Sequence, residues 1–253
     1  MLAIYNKSKY YLNQAEQIKF DYNVQIENAT IILKSADLYL IFGIITKDKW
    51  KYYLDLSYQD AKRYNNSLTL GFVEFNKAKY NIFNLIYSEA EKYTNYAVSY
   101  FKKLNSEDDF ADALIHLATI HLELGKLKEA EKELQEVTQI YNRIHCRYLK
   151  PSLSLAQSMY ARITNDNDAL NILRNALKTS RKIGTKEITW QIQREFGLYY
   201  KETGNINIAL NYYKDAINTI KEITETIEDE SYKASYLAVP IRKRVFDEIK
   251  AIK

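Results

Sequence analysis

The sequence predicts an all-α solenoid, a stack of helical hairpins, and three observations carry that prediction. Ala90, Ala130, Ala169 and Ala209 recur at a nearly constant interval of about 40 residues, the scale of a two-helix repeat. A second series, Ala97, Val137, Ala176 and Ala216, keeps the same interval seven positions further on. Seven positions is about two helical turns, so both series share one helix face. Small side chains there let a neighbouring backbone come close, which is how stacked units bury a face that none can bury alone. The third observation is the scarcity of breakers. The chain has 2 prolines and 6 glycines in 253 residues, against 27% charged and 47% hydrophobic residues, a balance suited to amphipathic helices with solvated outer faces.

From the N-terminus, residues 1–25 read as a lone helix, half a repeat, because Ala15 lies one repeat period before Leu54. A start in half a repeat implies an unusual cap or a piece of a longer chain. Residues 26–105 read as degenerate repeats. In the earlier one Gly43, Leu54 and Ala61 hold the repeat positions. The apolar run Ile31–Ile45 is interrupted by Lys34, Ser35 and Asp37 and falls short of the roughly 20 residues a bilayer needs, so it reads as a buried helix. In the next repeat Gly71 takes the small-residue role. The interval from Gly71 to Ala90 is seven positions longer than that from Ala118 to Ala130, which predicts a first helix about two turns longer. Residues 106–228 hold the clear units. Segment 111–144, ADALIHLATIHLELGKLKEAEKELQEVTQIYNRI, has apolar residues at helical spacing on both sides of Gly125, which can take a positive φ between two helices. Ser106 and Asp109 form a capping box ahead of it. Segment 190–223 aligns with this hairpin without a gap, Gly204 standing two periods after Gly125. Between them Pro151 suits a first turn, and the TNDND cluster supplies a polar turn with a ready N-cap. Residues 229–253 read as a C-terminal capping helix that Pro240 breaks or kinks. The count is about five hairpins with flanking helices in one continuous domain, residues 1–253.

The hairpins resemble the tetratricopeptide repeat family. Gly197, Tyr200, Gly204, Ala209, Tyr213 and Ala216 match its pattern of small residue, aromatic, turn glycine, alanine, aromatic and alanine. Leu117, Ala118, Gly125, Ala130 and Leu134 match it too, with His121 where an aromatic is usual and Val137 where alanine is usual. The resemblance implies a right-handed superhelix. The long period is similar to that of the long-repeat type found in bacterial signalling regulators, and the tail SYKASYLAVPIRKRVFDEIK is similar to the closing stretch of such arrays.

Composition narrows the chemistry. The formal charge of +4 comes from interspersed residues, 36 basic and 32 acidic, and gives no strong pull toward nucleic acid or an anionic membrane. Cys146 stands alone, so no internal disulfide framework exists. The start MLAIYNKSKYY has no apolar stretch followed by a small-residue cleavage site, and cytoplasmic residence is expected. His116 and His121 diverge by roughly 140° around a helix, so with His145 and Cys146 they form no metal-ligand pattern. His121 instead fills the aromatic slot between helices. The glycines never cluster into a phosphate loop. Glu107, Asp108 and Asp109 favour a helix start as solvated caps. The 23 tyrosines sit mostly at helical spacing and do not make a base-stacking surface. Arg242, Lys243 and Arg244, beside Asp247 and Glu248, read as a solvated helix face. No catalytic residue and no cofactor is expected.

The resemblance also implies a binding surface. In such arrays the first helix of each unit lines a concave groove with the side chains one, four and five positions after its small residue. Counting from Gly71 gives Phe72, Phe75 and Asn76; from Ala118, Thr119, Leu122 and Glu123; from Ala156, Gln157, Tyr160 and Ala161; from Gly197, Leu198, Lys201 and Glu202. Phe72, Phe75 and Tyr160 either line that groove as anchors for a peptide or pack within their own units. The family's carboxylate clamp is not reproduced, since only Asn76 and Lys201 are of the right type and they stand far apart in the array. The expected function is a non-enzymatic scaffold or adaptor that binds a protein or peptide in the groove, as part of or partner to a bacterial signalling regulator. The alternative is a Rap-like regulator that acts on a phosphorylated signalling partner or receives a pheromone peptide. An uncapped terminal helix would also leave an apolar face through which the chain could form a homodimer.

Overall fold

The computed structural model describes residues 47–252, and every regular element among them is a helix. These are α1 (Lys47–Arg63), α2 (Ser67–Phe83), α3 (Tyr87–Lys103), α4 (Glu107–Glu123), α5 (Leu127–Ile144), α6 (Leu149–Ile163), α7 (Ala169–Ile183), α8 (Lys186–Glu202) and α9 (Ile206–Thr224), then the shorter α10 (Glu230–Ala238) and α11 (Pro240–Lys250). α2 pairs with α3, α4 with α5, α6 with α7 and α8 with α9, while the first helices α4, α6 and α8 stack on one another. The described residues form an all-α solenoid of four hairpins, preceded by α1 as the second helix of an earlier unit. The lone helix predicted over residues 1–25, the run Ile31–Ile45 and Gly43 lie outside the described residues. No helix among the described residues is long and apolar enough to cross a membrane.

Turn chemistry sets the rhythm. Asn65, Leu85, Asn105, Gly125, His145, Asn165, Gly184 and Gly204 all have positive φ and stand half a repeat period apart. At Gly125 the N–H bonds to Leu122 O at 3.2 Å and the next N–H, of Lys126, reaches back to His121 O at 2.8 Å. This pair of hydrogen bonds satisfies the last carbonyls of a helix and reverses the chain. It recurs at each of these turns except His145, whose N–H bonds to Tyr141 O. Asn66 caps α2 with its side chain. Ser106 stands at the N-cap of α4, but its hydroxyl donates to Asp109 at 2.6 Å and caps no backbone N–H, while its own N–H bonds back to Phe101 O at 3.0 Å, so the expected box does not form.

The alanine series is the core of the stack, with Ala90, Ala97, Ala130, Val137, Ala209 and Ala216 fully buried. The small-residue slots of the first helices fall elsewhere than expected in two units. Ala78, Ala118, Ser158 and Gly197 each stand seven positions before a left-handed turn residue, and all four are buried. α2 has 17 residues, the same as α4 and α8, so the longer first helix predicted from Gly71 does not exist. Gly71 is small for a different reason: a Cβ there would stand 2.9 Å from the Phe101 ring. In the third hairpin the α6–α7 turn, residues 164–168, is two residues longer than the three-residue turns of its neighbours. The register slot is therefore Ser158, two residues after Ala156. Residues 229–253 do not form one helix: Val239 is extended at φ −61°, ψ 126°, and Pro240 opens α11, as proline at a first turn does.

Candidate functional site

The first helices, with Tyr87 of α3 and part of α11, line a cavity of about 240 Å³. α2 contributes Ile82 and Phe83; α4 contributes Ile115, His116, Thr119 and Glu123; α6 contributes Ser152, Leu155 and Met159. α8 adds Glu187, Ile188, Trp190, Gln191, Arg194 and Glu195, and α11 adds Ile241 and Arg244. Relative to the corrected slots, the aliphatic and polar lining of all four first helices falls on one helix face. It also slides along them, from the last turn of α2 through the second half of α4 and the middle of α6 to the first half of α8.

The charged members of the wall form a ladder. Arg162 Nε meets Glu195 at 2.7 Å, and Arg194 Nη1 meets the other Glu195 oxygen at 3.0 Å. Arg194 also grips Glu248 of α11 through Nη2 at 2.6 Å and Nε at 2.8 Å. Arg244 of α11 bonds Glu248 at 3.1 Å and both oxygens of Glu123 at 3.1 and 3.0 Å. Burial alone would lower the Arg194 pKa, but Glu195 and Glu248 outweigh it and hold the guanidinium charged. Burial, with help from the Glu123 charge, pushes the Tyr87 phenol well above its ordinary range. Beside the ladder Glu187 accepts from Trp190 Nε1 at 2.8 Å, from the Tyr236 hydroxyl and from Arg242 Nη2 at 3.1 Å. The reading of residues 242–244 as a solvated face is corrected here. Arg242 is 1% exposed, its guanidinium 3.7 Å over the Tyr236 ring, and of the three only Lys243 is exposed.

Of the residues expected in the groove, the structure brings Thr119 and Glu123 to the cavity wall. Phe75 is 3% exposed and packs edge-on to His116 and Phe101; Phe72 lies against Phe101 at 5.0 Å. Asn76 is buried, with Nδ2 on Phe72 O at 3.1 Å. Leu122 is buried among Leu155 and Phe196, and Tyr160 is half-buried between two core clusters. Gln157 faces α5, where its Nε2 reaches Thr138 at 3.3 Å, and Ala161 is buried. Leu198 is half-buried, while Lys201 and Glu202 are exposed at the end of α8, Glu202 meeting Arg162 at 2.7 Å. Counting from Gly71 starts two turns early, and counting from Ala156 starts two residues early. Trp190, Arg194 and Arg244 were not anticipated. The available signal was Arg194 four residues after Trp190, a charge inside an apolar stripe.

His121 is 5% exposed and bridges Glu133 through Nδ1 at 2.9 Å and Glu91 through Nε2 at 3.1 Å; Lys126 also binds Glu91 at 2.7 Å. Among the described residues no group of three or more His, Cys, Asp and Glu side chains is arranged to hold a metal ion.

A stack of helical hairpins around an apolar, charge-rimmed cavity defines the class by fold: an α-solenoid of two-helix repeats. Residues 110–145 match the family model of the tetratricopeptide repeat. No curated protein matches the sequence. Among solved structures the chain is similar to a Rap protein complexed with competence and sporulation factor, at TM-score 0.65 and 14% identity over 96% of this chain and 70% of that one. It is also similar to the apo form of RapI, at TM-score 0.62 and 19% identity over 94% and 90% of the two chains. A third likeness is to aspartyl phosphate phosphatase F from Bacillus subtilis, at TM-score 0.64 and 13% identity over 97% and 68%. At these identities the likeness is one of fold.

Proposed function

We propose that this protein is a non-enzymatic binding module that takes a peptide or protein segment in its concave cavity, as part of or partner to a bacterial signalling regulator in the cytoplasm. The observation that carries the reading is the cavity itself, an apolar floor of Ile82, Ile115, Leu155 and Met159 with fixed charges at its rim. Such a wall suits an aliphatic side chain flanked by polar backbone and needs no cofactor. Thr119 and Glu123 are the expected contacts that stand on it. The test is selection from a random linear peptide library, read out by Trp190 emission in a Trp50→Phe background. Peptides that bind, and that lose at least about tenfold affinity when Thr119→Phe fills the cavity without lowering Tm, support the reading. A library that yields no saturable binder, either on the intact chain or on the Arg244→Ala/Glu248→Ala variant, overturns it.

A second reading is favoured by the likeness to three Rap-type structures, one of them complexed with competence and sporulation factor. In it the array is a Rap-like regulator of a phosphorylated signalling partner or a receptor for a pheromone peptide. Accelerated phosphate release from a phosphorylated response regulator would select it. Light scattering across a dilution series tests the homodimer; a constant monomer mass rules it out.

A further inference from the structure

The cavity is closed from within by α11. This helix lies against α9 and also touches α2, in the first of the four described hairpins. Its Arg244 reaches Glu123 and Tyr87, residues 121 and 157 positions away in sequence, while its Glu248 holds Arg194 on α8. Ile241 completes an apolar cluster with Ile82, Ala90 and Ile120. α11 thus occupies the groove in the manner of a bound amphipathic segment: aliphatic anchors at one helical spacing and charged side chains paired with the wall. What remains beside it, about 240 Å³, is below the roughly 300 Å³ at which ligand pockets begin, and too small for an extended peptide.

Building on the groove reading above, we infer that α11 is a displaceable strap, a self-supplied occupant that must leave before a peptide can bind. Three features fit release. Val239 and Pro240 break the chain between α10 and α11 and supply a hinge. Most attachments at the cavity, Arg244 to Glu123, Glu248 to Arg194 and Arg242 to Glu187, are ion pairs that solvent can replace once the helix lifts, with the half-buried Ile241 the one apolar anchor there. An 11-residue helix is too short to persist alone, so release unfolds it and is visible as backbone exchange. A purely structural cap predicts the reverse, because Val245 and Ile249 pack into the same cluster as Ile220 and Ile223 and would then open only with α9.

Hydrogen exchange on the full chain separates the two. The strap predicts α11 amides that exchange at least about a hundredfold faster than those of α8 and α9; exchange of α11 together with α9 overturns it. A labelled synthetic peptide of residues 239–252 provides the second readout. It is expected to leave the intact chain unbound and to bind the Arg244→Ala/Glu248→Ala variant saturably, and equal or absent binding to both overturns the strap. The groove reading fails separately. A library peptide that binds while α11 stays protected refutes the strap and leaves the groove. An α11 that opens, with the 239–252 probe bound and no library binder found, supports the strap and refutes the groove reading.

Discussion

At Gly197 an added Cβ would stand 2.7 Å from the ring of Tyr213, which is fully buried and has no room to yield. Gly197→Ala is therefore expected to destabilise the fold by about 1–3 kcal/mol, read as a lower urea midpoint at constant m. The Tyr213 hydroxyl is buried without a hydrogen-bond partner, so Tyr213→Phe removes an unsatisfied group while keeping the packing. Its midpoint is expected to match or exceed that of the parent; a loss above about 1 kcal/mol would show that the hydroxyl is bonded. His121 makes a pH prediction. Burial pulls its pKa down, but the hydrogen bonds and charges of Glu133 and Glu91 outweigh burial and leave it raised above 6.5. A raised histidine holds its proton more tightly folded than unfolded, so its contribution is complete below pH 6.5 and is lost as pH climbs through the folded value. Tm should fall over that window, and His121→Gln should flatten the fall. Among its partners, burial raises the pKa of Glu133 and the Lys126 hydrogen bond lowers that of Glu91.

Among the elements, helix length is set by turns that arrive once every half period, and only part of that rhythm is written in residue type. Gly125, Gly184 and Gly204, with Asn65, Asn105, Asn165 and His145, are residues that tolerate a left-handed backbone; Leu85 adopts it with no such preference. This explains why the second and fourth hairpins were legible and the register of the first was not: its turn carries leucine, and its most conspicuous small residue, Gly71, serves the Phe101 ring. The third was misplaced by two residues because its turn, residues 164–168, is two residues longer than its neighbours'. The same physics limited the site. Thr119 and Glu123 follow from a correctly placed slot, whereas Trp190, Arg194 and Arg244 depend on how far along each helix the cavity runs, a tertiary property that helical spacing does not contain. Gly125 has positive φ and open space around its missing Cβ, so Gly125→Ala isolates the backbone term. About 1 kcal/mol of destabilisation is expected, with Gly125→Asn milder, by urea titration.

At the largest scale, the described solenoid has its first two hairpins tied to its fourth through α11, and that alters how it comes apart. An open array unfolds unit by unit because each hairpin touches only its neighbours. Here Arg244 and Glu248 couple the first two hairpins to the fourth. Trp50 on α1 and Trp190 on α8 report the two ends. In single-tryptophan chains their denaturant transitions should coincide, and in the Arg244→Ala/Glu248→Ala background they should separate; separation already present in the parent would show that the ends are uncoupled. The sliding of the cavity wall along successive helices has a further consequence, for anyone who would rebuild this protein. Its hairpins are not interchangeable cassettes. Copying the second hairpin into the fourth position would carry Thr119 and Glu123 to the place of Leu198 and Glu202, beyond the cavity, so grafted specificity would have to be rewritten about one turn upstream at each step.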